Sequence, residues 1–253
     1  MDSAIESCTR HRPASPARRR LLGLLALPVV SIPLARARDG APPYAQVRAS
    51  PDGIGKTYMG REIARVMGFQ GASWLERKER EAEERPDLLI TGLGLKPGMV
   101  VADIGAGTGY HVRRIARLVG PGGHVHAVDV QPEMIALLRA SVAREGLGNV
   151  TPVLASPTDS RLSAGAVDLA VMVDVYHEFE FPEEMVSSIV RALKPGGRLV
   201  YVEYRAEDPR VPIKALHKMS EAQVRREAAR HPLQFERAID GLPWQHALVF
   251  QRR

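Results

Sequence analysis

Val101-Ala-Asp-Ile-Gly-Ala-Gly-Thr-Gly109 decides the architecture of this chain. An apolar run enters three glycines at alternate positions, and the residues from Tyr110 onward continue with helical spacing. A strand that turns through glycines into a helix lets a ligand reach bare backbone at a helix N-terminus. The spacing is G-x-G-x-G, with Tyr110 where a dinucleotide fingerprint places its third glycine. Asp103 stands two residues before the first glycine. A carboxylate there repels a pyrophosphate and attracts an ammonium group.

Working outward, apolar runs at Met99–Ile104, His124–Val128, Val150–Ala155, Val167–Val173 and Arg198–Val202 fit strands buried on both faces. Amphipathic helices alternate with them. One carries Val112, Ile115, Ala116 and Val119, the next Met134, Leu137, Leu138 and Val142, and a third Met185, Val186, Ile189, Val190 and Leu193. Pro132 and Pro182 sit near helix starts, where a missing N–H costs nothing. Gly120-Pro-Gly-Gly and Lys194-Pro-Gly-Gly supply turns, and Ser220-Glu-Ala-Gln223 is a capping box that opens a helix. Trp244–Gln251 reads as a last strand. Such alternation specifies right-handed crossovers and a parallel sheet, an α/β fold of the Rossmann-like kind. Upstream, residues 39–51 read as a Pro-rich linker and residues 58–94 as a helical lead-in, with Ile63, Val66 and Met67 on one face and a charged run from Trp74 to Glu84.

The second strand ends in Val128-Asp129, about the right distance downstream for an acid that accepts hydrogen bonds from a ribose diol. An acid for an ammonium and an acid for a ribose together fit S-adenosylmethionine. On DIGAGTG (103–109), HAVDVQPEM (126–134), DLAVMVDVYHEF (168–179) and LKPGGRLVYVE (193–203), the chain resembles the class I S-adenosylmethionine-dependent methyltransferases over residues 85–253. The resemblance implies a seven-stranded, mostly parallel sheet with helices on both faces and the last strand antiparallel. It places Asp103 and the backbone of Gly105, Gly107 and Gly109 against the methionine moiety, Asp129 against the ribose, and Gln131 and Met134 near the adenine. Ala106, Val130 and Asp174 complete that set. Asp159 is expected to accept from the adenine amino group, although Ser156-Pro-Thr158 departs from the family's compact Gly-Asp-Ala loop.

Methyl transfer from a sulfonium is an in-line displacement in which positioning alone can lower the barrier by about 7–11 kcal/mol. A general base helps only where the acceptor must lose a proton. The family puts its acceptor-side residues at the end of the fourth strand, here Asp174-Val-Tyr-His-Glu178. His177 is the candidate base, with closure of the pocket as its other reading; an unperturbed imidazole titrates near 6.5. Tyr176 is a catalytic candidate or a packing aromatic, and Glu203 touches the acceptor or pairs with Arg205. Glu178 orients His177 or caps the following helix, and His217 and Met219 lie in a segment placed to cover the site. The Asn/Asp-Pro-Pro-aromatic signature of amino-group methylation is absent. No His/Asp/Glu cluster has metal-ligand spacing, so no metal is expected.

The chain has 253 residues, 45% hydrophobic and 25% charged, which supports a real core and excludes a disordered or disulfide-stapled protein. Its charge of +6 is local: residues 1–37 hold six arginines and two acids, leaving 29 bases against 27 acids. With 5% aromatics as well, a nucleic-acid acceptor is disfavoured, and a small molecule is the expected partner. The lone cysteine, Cys8, lies in the same N-terminal stretch, so the body has no thiolate chemistry. Arg18–Arg20 precede an apolar run, Leu21–Ala35, too short to span a bilayer but laid out like a secretory signal. Cleavage is expected after Ala37, and the arginines suit a twin-arginine route to the periplasm. The alternative is a cytoplasmic protein, which fits the cytoplasmic supply of the cofactor. The functional expectation is a methyltransferase acting at O, N or C of a small molecule. Its rivals are a protein side-chain methyltransferase and a noncatalytic cofactor-binding protein.

Overall fold

The computed structural model describes residues 43–253. The leader expected over residues 1–37, with its cleavage point, lies outside the described residues. The described residues build two sheets. The first is a three-stranded antiparallel sheet, β1 (Tyr44–Gln46), β2 (Gly53–Tyr58) and β3 (Arg61–Ala64). A 3₁₀ turn, Phe69–Glu76, then leads into α1 (Arg80–Glu83) and α2 (Pro86–Gly92).

The second sheet follows from the strand and helix alternation. Its elements are β4 (Val100–Ile104), α3 (Tyr110–Val119), β5 (His124–Asp129), α4 (Pro132–Arg144), β6 (Val150–Leu154), β7 (Val167–Val173), α5 (Pro182–Ala192), β8 (Leu193–Tyr204), α6 (Glu221–Ala228), β9 (Leu233–Ile239) and β10 (Gln245–Arg252). The seven strands lie in the order β6-β5-β4-β7-β8-β10-β9. Those from β6 to β8 are parallel, and β10 runs antiparallel to both β8 and β9. The chain's last strand is therefore the reversed one, as the resemblance implies.

The central strands are mostly apolar because helices cover both faces. Tyr201 and Leu199 of β8 point to the side of Met185 and Ile189, while Val200 and Val202 point to the side of Leu89, Val112 and Ile115. Pro132 and Pro182 occupy first turns, and the Ser220 side chain accepts from the Gln223 N–H at 3.1 Å. Lys194-Pro-Gly-Gly turns out to be a bulge inside β8: Val167 pairs with Leu193 and Leu169 with Arg198. The edge strand β9, half polar along its length, escapes a reading based on apolar runs.

The helical reading of residues 58–68 is corrected. Tyr58 ends one strand and Arg61 begins the next, because Met59 and Gly60 both take positive φ (49° and 86°), the two-residue turn of a tight hairpin. The expected linker likewise contains β1. Ile63 and Ala64 are buried by this hairpin rather than by a helix face. Long-range polar contacts pin it to the main body: Tyr44 and Tyr58 donate to Glu184 and Glu183 of α5, and Arg61 makes a bidentate pair with Glu227 of α6 at 3.0 Å. Among the described residues no helix is long and apolar enough to cross a membrane.

Candidate functional site

A cavity of about 640 Å³ lies beyond the carboxyl ends of the parallel strands. Ile104 and Gly105 follow from β4, Val128 and Asp129 from β5, and Val173 and Asp174 from β7. β4 and β7 are neighbours from which the strand order runs in opposite directions, and ligands of open α/β sheets bind at such a switch point.

The glycine loop is shaped for close approach. Gly105 has φ +74°, and a Cβ there would lie 2.5 Å from Val175 Cγ2. Gly107 has φ +53°, and its Cβ would lie 2.7 Å from Leu75 Cδ1. Asp129 ties the loop to the next strand: Oδ2 accepts from the Gly107 N–H at 3.0 Å and Oδ1 from the Gln131 N–H at 2.9 Å. Each oxygen keeps a lone pair for a diol. Burial pushes the Asp129 carboxyl above its ordinary value. Val130, Gln131 and Met134 line the same end of the cavity.

Asp103, Ala106 and Gly109 are buried or set behind this lining rather than in it. Burial, opposed by Arg80 and reinforced by Asp129, pushes the Asp103 carboxyl up to about 7. Asp174 holds a non-glycine residue at φ +51°, and its Oδ2 accepts from Gln245 Nε2 at 2.5 Å. Burial, then the acids Glu84 and Glu203, raises it well above the usual carboxylate range. The structure places Asp159 away from the lining. Its Oδ1 accepts from the Arg161 N–H at 2.8 Å and its Oδ2 lies 3.6 Å from Arg191, while Ala155 and Pro157 line the cavity instead.

On the acceptor side, His177 lines the cavity and is 1% exposed. Glu203, fully buried behind it, holds His177 Nδ1 at 2.5 Å and accepts from its backbone N–H at 3.3 Å. Burial alone lowers the imidazole, but the charge and hydrogen bond of Glu203 outweigh it, and the net shift is upward. Glu203 therefore acts through His177 and does not reach the cavity. Tyr176 does not reach it either. Its ring packs edge-on against Tyr201 and Phe179 in the core, with the Arg61 guanidinium 5.6 Å from its centroid.

Two neighbours complete the wall. His217 Nδ1 lies 3.2 Å from His177 Nε2 and 3.3 Å from Glu178 Oε1, and Glu178 Oε1 also accepts from the Met67 N–H at 3.1 Å. These three side chains sit as potential metal ligands do. Ligand spacing missed them because residues 177 and 217 belong to segments that meet only in the fold. Met219 is a core residue.

The lead-in supplies the residues that sequence reasoning missed. Arg65, Val66, Met67, Trp74, Leu75 and Arg80 all line the cavity. Gln131 bridges to this segment: its Nε2 donates to Met67 O and its Oε1 accepts from the Phe69 N–H, both at 3.0 Å. Arg80 is held by Glu84 at 2.8 Å and donates to Leu75 O at 2.9 Å. In the sequence this run reads only as a helical lead-in with a charged stretch, which does not mark it as a cavity wall.

Residues 101–197 match the methyltransferase domain family. The chain is 34% identical over 109 residues to a protein-L-isoaspartate O-methyltransferase of Methanothrix thermoacetophila, covering 43% of this chain and 49% of that one. It is 33% identical over 112 residues to the ubiquinone/menaquinone biosynthesis C-methyltransferase UbiE of Pseudomonas paraeruginosa, covering 44% of each. The chain thus spans less than half the length of these relatives. Among solved structures, a SAM-dependent methyltransferase from Aquifex aeolicus superposes with a TM-score of 0.70 at 23% identity, over 74% of this chain and all of that one. The chain shares the fold of that SAM-dependent methyltransferase, and its residues 101–197 match the methyltransferase domain family.

Proposed function

We propose that the protein is an S-adenosylmethionine-dependent methyltransferase acting on a small molecule. One observation carries the reading: Asp129 is fastened to the Gly107 amide at the carboxyl edge of the sheet, beside a cavity of drug-sized volume. When bound, S-adenosylmethionine supplies an electrophilic methyl group on a sulfonium. Glycines 105 and 107 admit the ligand against bare backbone, and a Cβ at either would collide with Val175 or Leu75. Asp129 has free lone pairs for a ribose diol. Val130 and Met134 offer an apolar seat for the base, and an ammonium group brought to the loop would favour the ionised form of Asp103 behind it. On the acceptor side His177, with Nδ1 held by Glu203, is the candidate base.

The relatives point to the reaction type without agreeing on the acceptor, since one is named for O-methylation and the other for C-methylation. Calorimetric titration of the full chain with S-adenosylmethionine, S-adenosylhomocysteine and NAD tests the cofactor. The first two are expected to bind and NAD is not. Loss of an acceptor at a buried charged pair is worth about 1.5–3 kcal/mol, so Asp129→Ala should weaken both sulfur ligands roughly 10- to 100-fold. Binding of NAD alone would overturn the reading.

A further inference from the structure

The cluster opposite the cofactor end has a geometry that general-base chemistry does not require. His177 Nε2, His217 Nδ1 and Glu178 Oε1 form a triangle with sides of 3.2, 3.3 and 3.9 Å. Bonds of about 2.0–2.1 Å to a tetrahedral ion set its ligand atoms about 3.3 Å apart. Two of the three sides fall at that value. The contact partners fit as well. The Glu203 carboxylate holds His177 Nδ1, and this outer-shell arrangement fixes a ligating histidine with its other nitrogen free to bind metal. Glu178 is steadied by the Met67 N–H. All three residues line the cavity, so any further coordination position is filled from the cavity itself.

We infer that His177, Glu178 and His217 bind a divalent transition-metal ion of the zinc class, and that the methyl acceptor carries an ionisable oxygen or sulfur that ligates this ion. Two histidines and one carboxylate with an open position are the donor set of catalytic zinc. The acceptor clause rests on the methyltransferase reading above; the ion site does not. An O–H or S–H bound to such an ion becomes far more acidic. Its proton leaves to solvent on binding, and this replaces His177 as the base, since both imidazole nitrogens are then engaged. The new O–C or S–C bond then forms as the methyl–sulfonium bond breaks, the electron pair stays on sulfur, and a neutral thioether is released. In this arrangement Glu203 is a positioning residue, acting on the ion through His177.

The test uses the full-length protein stripped with chelator and titrated with Co²⁺, followed by visible absorption, with Zn²⁺ as competitor. One equivalent of Co²⁺ should give the d–d bands of low coordination number, and Zn²⁺ should bleach them. His217→Ala and Glu178→Gln should each weaken Co²⁺ by at least about 100-fold, and Glu203→Gln by roughly 10- to 100-fold. Circular dichroism melting checks that each variant folds; should His217→Ala unfold, the isosteric Glu178→Gln decides. Absence of bands, or bands unchanged in either variant, overturns the site. Titration of the same preparations with S-adenosylhomocysteine separates the two readings. Metal without nucleoside binding leaves the ion site standing and removes the methyltransferase, whereas nucleoside without metal does the reverse.

Discussion

Glu203 and His177, 26 residues apart in sequence, form the most deeply buried polar contact of the acceptor side, with carboxylate and imidazole 2.5 Å apart. Among the described residues His177 is the hydrogen-bond partner of the Glu203 carboxylate, through both its ring and its backbone N–H. The Nδ1 proton is predicted to resonate far downfield and to exchange slowly. Glu203→Gln should move that signal upfield without altering the fold. Proton NMR of the wild type and variant at matched pH checks this, and an unchanged signal means the histidine carries its proton on the other nitrogen.

Gly105 tolerates no side chain. Its φ of +74° strains any L-residue, and a Cβ would meet three Val175 carbons at 2.5–3.0 Å. Gly105→Ala should therefore cost about 1–3 kcal/mol in urea unfolding, and it should abolish nucleoside binding in the fraction that folds. Gly122→Ala, where nothing lies within 4 Å, is the control and should bind normally.

The Asp103 carboxyl, at about 7 instead of 3.8, makes the ligand-free fold pH-sensitive. The native chain keeps this proton while the unfolded chain releases it, so the native state holds the extra proton between these values. Stability must then fall as pH rises from about 4 to about 7, by at most ~1.4 kcal/mol per pH unit from this group. Asp103→Asn should flatten that part of the profile. Urea midpoints across the range, wild type against variant, measure the difference; parallel profiles would show that Asp103 is ionised throughout.

Arg61 and Glu227 anchor the N-terminal sheet through a buried bidentate pair, with side chains 10% and 0% exposed. Glu227→Ala strands a buried guanidinium and should destabilise by about 3–5 kcal/mol. Replacing both partners with apolar residues of similar volume should recover most of the loss. A double-mutant cycle by chemical denaturation reads this directly.

The glycine loop and its sheet were legible because strands buried on both faces are continuous apolar runs and their helices have local, periodic faces. Asp129 could be picked out because it ends β5, and His177 because it follows β7 closely, whereas Asp103, near the end of β4, lies behind the lining. The N-terminal sheet was not legible. Ile63, Val66 and Met67 fall at helical spacing, and the Met59-Gly60 turn that overrides it depends on two positive φ angles. Asp159 was placed by analogy with a loop this chain does not share, and Arg161 and Arg191 claim it instead. His217 was placed over the site but not read as a ligand, because its neighbour His177 lies 40 residues away in sequence.

The sheet β1–β3 is made long before the partners it packs against. Tyr44 must wait for Glu184 and Arg61 for Glu227, separations of 140 and 166 residues. At translation rates of roughly 5–20 residues per second the delay is on the order of ten seconds. For that interval a small sheet with tyrosines and an isoleucine to bury emerges from the ribosome with nothing to lean on. Among the described residues it is the segment made first, and so the one longest open to a holding chaperone.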